Sequence, residues 1–158
     1  YALAALAIDD DALRRRLLAS YLALDAYPEV PETLATLRAR GLQLAILSNG
    51  TRAMLDAACR RNAIEDQFDA VLSVDEVGIF KPHPSVYRLA VDRLGAAAGE
   101  ILFMSSNGWD IAGAASFGFR AIWINRFGQP PERLPAGPEA MLADLAELPA
   151  RIGSGETR

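Results

Sequence analysis

The 158-residue sequence contains a single cysteine and a single histidine, and this scarcity excludes several kinds of site. One thiol cannot form a disulfide within the chain, and one histidine with one cysteine cannot supply a zinc centre. Cys59 falls in a helical pattern, which favours a buried, small apolar residue over a nucleophile. His83 stands between two prolines, as is typical of an exposed turn residue, so no Ser-His-Asp or Cys-His triad is predicted.

The sequence also lacks a basic stripe, a long hydrophobic run and a glycine-rich phosphate-binding fingerprint. Its 16 basic and 20 acidic residues are interleaved, which argues against nucleic acid as a partner. Apolar runs such as 42–47 are too short to cross a bilayer, so no membrane association is predicted. The missing glycine fingerprint weakens a nucleotide-binding interpretation. We expect a soluble, cytoplasmic protein, and a signal peptide ahead of Tyr1 stays an open alternative.

The chain has the length of one domain, and 51% of its residues are apolar, enough for a sizeable core. Its apolar patterns alternate between strand-like runs and helical periods, which predicts right-handed βαβ units and a parallel sheet flanked by helices. The predicted strands are 42–47, 68–74, 101–104 and 120–124. The predicted helices are 10–25, 32–40, 52–60, 84–94, 109–117 and 139–148, with a loop rich in proline and glycine at 125–138.

Polar side chains follow the predicted strands at the points where each strand ends. Ser48 and Asn49 end the first strand, and 105–110 follows the third strand with the sequence Ser-Ser-Asn-Gly-Trp-Asp. A short segment around Lys81 and Pro82 brings a lysine to the same rim. Because ligands of open α/β sheets bind beyond the carboxyl ends of the strands, these residues form the predicted site.

Each of these residues also has a plainer structural interpretation. Ser48 and Asn49 could bind an anion at the start of a helix, or simply cap that helix. Lys81 could hold a carboxylate ionised and oriented, or lie on the surface as a solvated lysine. Asp110, in the first turn of its helix, could form a salt bridge to Lys81 or serve only as a cap.

Two aromatic residues near this rim leave similar alternatives open. Tyr87 lies on a predicted helix, where it is either a core residue or a hydrogen-bonding residue of the site. Trp109 could form an apolar wall of the site or pack into the interior.

Four motifs, taken together, resemble the haloacid dehalogenase (HAD) superfamily, and more narrowly the L-2-haloacid dehalogenases. They are Leu-Ser-Asn-Gly at 47–50, Phe-Lys-Pro at 80–82 followed by Tyr87, Ser-Ser-Asn-Gly-Trp-Asp at 105–110, and Trp-Ile-Asn-Arg at 123–126. The match runs in order from about residue 27 to residue 148. The resemblance implies a HAD-like Rossmannoid core with a helical cap inserted after the first strand. It divides the chain into the end of the cap at 1–26, the core at 27–150 and a flexible tail at 151–158.

The resemblance also implies a mechanism without a cofactor or metal. An aspartate on the first strand attacks C2 of an L-2-haloalkanoic acid, displaces halide with inversion and forms an ester that water hydrolyses. Ser48 would bind the substrate carboxylate, Asn49 and Trp109 would help to hold the halide, and Tyr87 would line the site. Lys81 would hold the nucleophile. The residues expected to orient Lys81 and the nucleophile or its water are Ser105, Asn107 and Asp110.

The sequence departs from this family in one important respect, because the Asp-x-x-Gly-Thr motif of the nucleophile strand occurs nowhere in its 158 residues. We therefore expect the chain to be part of a larger protein, to be inactive alone, and to leave the edges of the strands beside the missing one unpaired. Two alternatives stay open, a Mg²⁺-dependent phosphatase of the same superfamily and an inactive HAD-like domain. Ser106 argues against the phosphatase, because it replaces an expected metal-binding aspartate. Family members are often dimers, so a homodimer is possible.

Overall fold

The computed structural model describes residues 2–152, which form an α/β fold of five strands and seven α-helices. The strands are β1 (Ala45–Ser48), β2 (Ala70–Ser73), β3 (Leu102–Ser105), β4 (Arg120–Ile124) and β5 (Ala140–Leu142). The helices are α1 (Ala2–Ala5), α2 (Asp11–Ser20), α3 (Val30–Ala39), α4 (Arg52–Arg61), α5 (Pro84–Leu94), α6 (Gly108–Phe117) and α7 (Leu148–Arg151). Short 3₁₀ turns lie at Glu65–Gln67, Val74–Glu76 and Ala98–Glu100.

Local sequence signals set the ends of helix α5, which follows the loop carrying Lys81. Pro84 occupies its first turn, where a missing N–H costs nothing, and His83 caps it by accepting a hydrogen bond from the Ser85 N–H. His83 is exposed, as expected, although its capping role was not predicted. Gly95 ends the helix in the left-handed conformation that glycine adopts at no steric cost. The helix predicted at 84–94 is thus confirmed to the residue.

The strands form two parallel sheets rather than one continuous sheet. Strand β1 pairs with β2, and β3, β4 and β5 pair in that order. Across the described residues, no backbone ladder joins β1 to β3. Both strands are only partly buried, whereas four residues of β4, which has a neighbour on each side, are buried. One edge of β1 and one edge of β3 thus lack a strand partner among residues 2–152, and the place of the missing strand stays a prediction.

Helices on both faces cover these strands and bury two main apolar clusters. One cluster joins α3 and α7 to β4 and β5 through Leu37, Ile122, Leu142 and Leu148. The other joins α5 and α6 to β2 and the following turns through Leu72, Tyr87, Ala114 and Phe119. Leu47 of β1 and Phe103 of β3 both pack against this second cluster, so it spans the two sheets.

One predicted helix, 139–148, is wrong. Its first part is β5, which pairs in parallel with β4 with Ile122 opposite Ala140 and Ile124 opposite Leu142. The helical part begins only at Leu148 and ends at Arg151. Of the tail predicted at 151–158, residues 153–158 lie outside the described residues. Ala140, Met141 and Leu142 have no strong local strand preference, and the free edge of β4 decides their conformation.

Helix α2 lies within the predicted 10–25 helix but buries none of its residues. Its apolar side chains, together with those of the segment that follows, are about half exposed. They include Leu17, Leu18, Tyr21, Leu22 and Leu24. Assignment of residues 1–26 to a cap stays a prediction, and an exposed apolar face is what an incomplete helical layer would present.

Leu148 tests the corrected end of the fold, because its side chain is fully buried in the cluster with Leu37 and Leu142. Leu148→Ala should lower the free energy of unfolding by about 2–5 kcal/mol, through lost burial and the cavity left behind. Urea unfolding of the full-length protein measures this change. Leu134→Ala is the matched control, since Leu134 lies in the exposed loop before β5 and should cost less than about 1 kcal/mol. Equal costs for the two substitutions would contradict the packing described for α7.

Candidate active site

A buried ion pair lies at the carboxyl ends of β1 and β3. The Lys81 Nζ is 2.7 Å from Asp110 Oδ2, and the two side chains are 8% and 2% exposed. The other oxygen of the same carboxylate, Oδ1, accepts a hydrogen bond of 2.9 Å from the hydroxyl of Tyr87, which is itself fully buried. Asp110 thus has a partner for each oxygen, and its role is more than helix capping. The salt bridge predicted between Asp110 and Lys81 is present.

The backbone around Lys81 is fixed as firmly as its side chain. Its amide N–H donates to Asn49 Oδ1 at 2.8 Å, and its ammonium also donates to the Leu47 carbonyl oxygen at 3.1 Å. The ring of Phe103 lies 5.1 Å from the same nitrogen, close enough for a cation–π interaction. Of the three donors of a lysine ammonium, two have acceptors within residues 2–152, so one is left for a further acceptor at this rim.

Tyr87 is held as a neutral donor. Burial raises the pKa of its hydroxyl well above the usual value of 10.0, and the negative charge of Asp110 and the hydrogen bond to it act in the same direction. The ring packs edge-on against Phe103 and Phe119, so it is also a core residue. Tyr87 is therefore a core residue whose hydroxyl bonds to Asp110, and its place in the substrate site stays a prediction.

A tight turn after β1 positions Ser48 and Asn49. The Ser48 Oγ accepts a hydrogen bond from the Gly50 N–H at 3.0 Å, and Ser73 at the end of β2 donates to the Gly50 carbonyl oxygen at 2.8 Å. Thr51, rather than Ser48 or Asn49, caps α4 by accepting from the Met54 N–H. The capping alternative is therefore wrong. Within residues 2–152, the Ser48 hydroxyl donates no hydrogen bond.

The segment after β3 is held partly by a residue that the sequence analysis did not assign. The Trp123 Nε1–H of β4 donates to the Ser106 carbonyl oxygen at 3.1 Å, and Ser105 Oγ accepts from the Asn107 N–H at 3.2 Å. Asn107 precedes α6 and makes no side-chain capping bond, and its side chain is exposed. Trp109 is 37% exposed, so it is a surface residue of this rim rather than a packed core residue.

The structure brings some predicted site residues into contact and leaves others only at the same rim. Asn49, Lys81, Tyr87 and Asp110 form one connected hydrogen-bonded group. The remaining predicted residues lie at the ends of β1 and β3 or at the start of α6, with no direct side-chain bond to this group among the described residues. They are Ser48, Ser105, Asn107 and Trp109. Their roles in binding stay predictions.

Gly113 is a site residue that the sequence analysis missed. A Cβ added there would lie 2.5 Å from the Tyr87 hydroxyl oxygen and 2.7 Å from the Pro82 Cβ. Only glycine lets α6 approach so closely that Tyr87 reaches Asp110. The sequence did carry a signal, because Gly113 falls in the interior of a predicted helix. Glycine there is about 1 kcal/mol less favourable than alanine, which indicates that close packing requires it.

Residues 2–152 contain no group of three or more His, Cys, Asp or Glu side chains placed to hold a metal ion. At this rim Asp110 supplies one carboxylate, and both of its oxygens already have partners. Ser105 and Ser106 offer hydroxyls, which suit a hard divalent cation less well than carboxylates do. Within the same residues, no helix is long and apolar enough to cross a membrane.

The structure thus places a buried lysine–aspartate pair at the carboxyl ends of parallel strands in an α/β fold. Residues 2–118 match the family model of haloacid dehalogenase-like hydrolases, and the chain belongs to that superfamily. The (S)-2-haloacid dehalogenase 1 of Pseudomonas sp. strain CBS-3 is 46% identical over 137 residues, which cover 87% of this chain and 60% of that protein. Our chain therefore spans less than two thirds of the length of this relative.

Two solved structures show which family of this superfamily the chain belongs to. The crystal structure of an L-2-haloacid dehalogenase is 42% identical and superposes with a TM-score of 0.90, covering 96% of this chain and 67% of that one. The L-2-haloacid dehalogenase from Xanthobacter autotrophicus with chloropropionic acid covalently bound is 33% identical, with a TM-score of 0.85 and coverages of 94% and 69%. Within the superfamily, the chain is a member of the L-2-haloacid dehalogenase family.

Gly113→Ala tests the close approach of α6 to Tyr87. Helix propensity alone would make this substitution stabilising by about 1 kcal/mol, whereas the contacts with Tyr87 and Pro82 should make it destabilising by roughly 1–3 kcal/mol. Chemical denaturation of the full-length protein gives the sign directly.

Gly99→Ala is the matched control, because a Cβ there meets nothing within 4 Å. It should change the free energy of unfolding by no more than about 0.5 kcal/mol. Adding Tyr87→Phe should remove part of the cost of Gly113→Ala, since the nearest clashing atom is the hydroxyl oxygen. A stabilising Gly113→Ala would show that the spacing between α5 and α6 is not set by this glycine.

Proposed function

We propose that this chain forms the greater part of the active site of an enzyme that hydrolyses L-2-haloalkanoic acids to 2-hydroxy acids. The observation that carries this proposal is the buried Lys81 ammonium, which is held by Asp110 and Leu47 at the carboxyl rim and keeps one donor for another acceptor. A fixed positive charge of this kind favours the ionised form of a carboxylate brought within reach. The covalently bound chloropropionic acid of the Xanthobacter relative supports a reaction through an enzyme-bound intermediate.

The proposed reaction has two steps that balance without a cofactor. A carboxylate oxygen attacks C2 of the substrate, the carbon–halogen bond breaks with inversion, and the halide leaves with the bonding electrons. Water then adds to the carbonyl carbon of the aspartyl ester, releasing the 2-hydroxy acid and a proton and restoring the carboxylate. This scheme requires a nucleophilic aspartate in addition to the residues described. Asp110 does not suit that role, because Lys81 and Tyr87 occupy both of its oxygens.

The other rim residues have roles that their hydrogen bonds support. Ser48 accepts from the Gly50 N–H, so its own proton is available to bind the substrate carboxylate. Asn49 uses Oδ1 for Lys81, which leaves its amide N–H₂ to approach the halide, and Trp109 would form the adjoining wall. Ser105 and Asn107 would orient the nucleophile or the hydrolytic water. Tyr87 acts through Asp110 and need not touch the substrate.

We also infer a cytoplasmic enzyme that forms a homodimer. Cys59 is a free, buried thiol, and burial raises its pKa, with Glu65 and Asp56 adding to the effect. A thiol in this state suits a reducing compartment. The exposed apolar face of α2 supports an association with further helices, from the same protein or from a second copy.

Halide release from 2-chloropropionate tests the activity. The full-length protein should release chloride from the L enantiomer and leave the D enantiomer unreacted, and addition of EDTA should not change the rate. If the protein released halide from neither enantiomer, the proposal would be contradicted. Loss of activity with EDTA would instead favour the metal-dependent phosphatase chemistry of the same superfamily, which phosphate release from a phosphomonoester would then reveal.

Ser48→Ala tests the assigned carboxylate contact. Loss of a hydrogen bond to a charged group costs about 1.5–3 kcal/mol, so KM for L-2-chloropropionate should rise roughly 10- to 150-fold, with a smaller change in kcat. Ser20→Ala is the control, because Ser20 is exposed on α2 and donates only to the Leu17 carbonyl oxygen. An unchanged KM in the Ser48 variant would reject its role in binding.

A further inference from the structure

The linker between α2 and α3 is held against the core from two directions. On one side, Asn62 at the end of α4 accepts from the Ala26 N–H at 2.8 Å and donates to the Leu24 carbonyl oxygen at 3.0 Å. Arg61 adds an exposed ion pair of 2.6 Å with Asp25. These contacts fix residues 24–26 to the end of α4.

On the other side, Arg126 holds the remainder of the linker. Its guanidinium carbon lies 3.7 Å from the centre of the Tyr27 ring, and its Nη2 donates to Glu29 Oε1. The Arg126 and Glu29 side chains are 21% and 17% exposed, so this ion pair is partly protected from solvent. A planar guanidinium can stack on a ring and pair with a carboxylate at the same time, which an ammonium cannot do equally well.

The charges at this contact are compensated. Desolvation raises the pKa of Glu29, but hydrogen bonds from its own backbone and from Arg126, together with the Arg126 charge, lower it overall. Glu29 therefore stays ionised as the partner of Arg126, and Arg126 does not present an unpaired positive charge to a ligand. Its role at this position is to hold the linker.

Tyr27 and Arg126 also line a cavity that reaches the rim. The cavity measures about 210 Å³, and its lining includes Ser105 and Ser106 after β3, Phe127 after β4 and Met104 of β3. Its surface is mostly apolar, apart from the two serines and Arg126. The position of the Tyr27 ring therefore determines the shape of a cavity beside the proposed catalytic residues.

We propose that Arg126 is a positioning residue, which, with Asn62, clamps residues 24–29 and fixes Tyr27 as a wall of the cavity beside Ser105 and Ser106. Although it lines the cavity, Arg126 acts through the linker, because its charge is already paired with Glu29. Its effect on turnover rests on the proposed function, whereas its effect on the linker does not. The clamp also determines the direction in which α2 leaves the core.

The test combines hydrogen exchange with kinetics on the full-length protein. Arg126→Met keeps a long side chain but removes the charge and the donors. Amides of residues 24–33 should exchange about 10-fold faster, which corresponds to the loss of one charge-assisted bond and one cation–π contact. KM for L-2-chloropropionate should rise about 5- to 20-fold, while kcat should change by less than about 3-fold, as expected for lost ground-state positioning.

Two further variants separate positioning from general stability. Arg126→Lys retains the charge but not the planar stacking, and should give intermediate exchange and KM. Arg93→Met breaks an exposed arginine–glutamate pair away from the linker, and should leave both quantities unchanged. Asn62→Ala should raise exchange in the same segment by loosening the other side of the clamp.

Some results for Arg126→Met would contradict the proposal. Unchanged exchange in Arg126→Met would show that Arg126 does not hold the linker. Faster exchange with an unchanged KM would show that the linker does not shape the binding cavity, and a raised KM with unchanged exchange would assign Arg126 to direct substrate contact. If the wild-type protein releases no halide from either enantiomer, the proposed function fails, and the exchange measurement still tests the clamp.

Discussion

The buried ion pair between Lys81 and Asp110 is the interaction on which the rest of the site depends. An ammonium and a carboxylate removed from water each carry a desolvation cost of several kcal/mol, which their mutual attraction offsets only if the remaining donors and acceptors are also satisfied. Here Tyr87 satisfies the second carboxylate oxygen and the Leu47 carbonyl oxygen takes a second ammonium proton. In many proteins, replacing a buried ion pair with apolar residues of similar size leaves the protein at least as stable. Stability alone therefore does not explain the Lys81–Asp110 pair, and the chemistry of a fixed positive charge explains it better.

The surrounding fold is arranged to make this pair possible. Lys81 comes from the loop before α5, Asp110 from the first turn of α6 and Leu47 from the end of β1, so three separate parts of the chain converge on one ammonium. Gly113 permits the close packing of α6 on Tyr87, and Trp123 fixes the loop that leads into α6. The pair lies at the carboxyl ends of β1 and β3, which no ladder joins within residues 2–152. In the proposed reaction, the nucleophile would accept the remaining donor of Lys81.

Most of the fold followed from the sequence because its signals are local. Helix α5 was predicted to the residue, and the structure shows local signals at both of its ends, a proline in the first turn and a glycine after the last. Strand β4 was predicted from a continuous apolar run. Strand β5 was missed because its three residues gain strand structure only by pairing with β4. Within the site, the rule that ligands bind at strand ends, together with the order of the motifs along the chain, predicted that Lys81 lies beside Asp110. The hydrogen bond between Arg126 and Glu29 joins residues 97 positions apart, so no local sequence pattern could predict it.

Halide release by a Lys81→Met variant of the full-length protein tests the central claim most directly. Methionine keeps the length of the side chain and removes the charge. Turnover of L-2-chloropropionate should fall by at least about 100-fold, as expected when a group that stabilises the reacting charges is lost. The double variant Lys81→Met/Asp110→Asn, which leaves no unpaired buried charge, should be equally inactive while its circular dichroism spectrum matches that of the wild type. Turnover near the wild-type rate in either variant would contradict the claim that this ammonium organises the reaction.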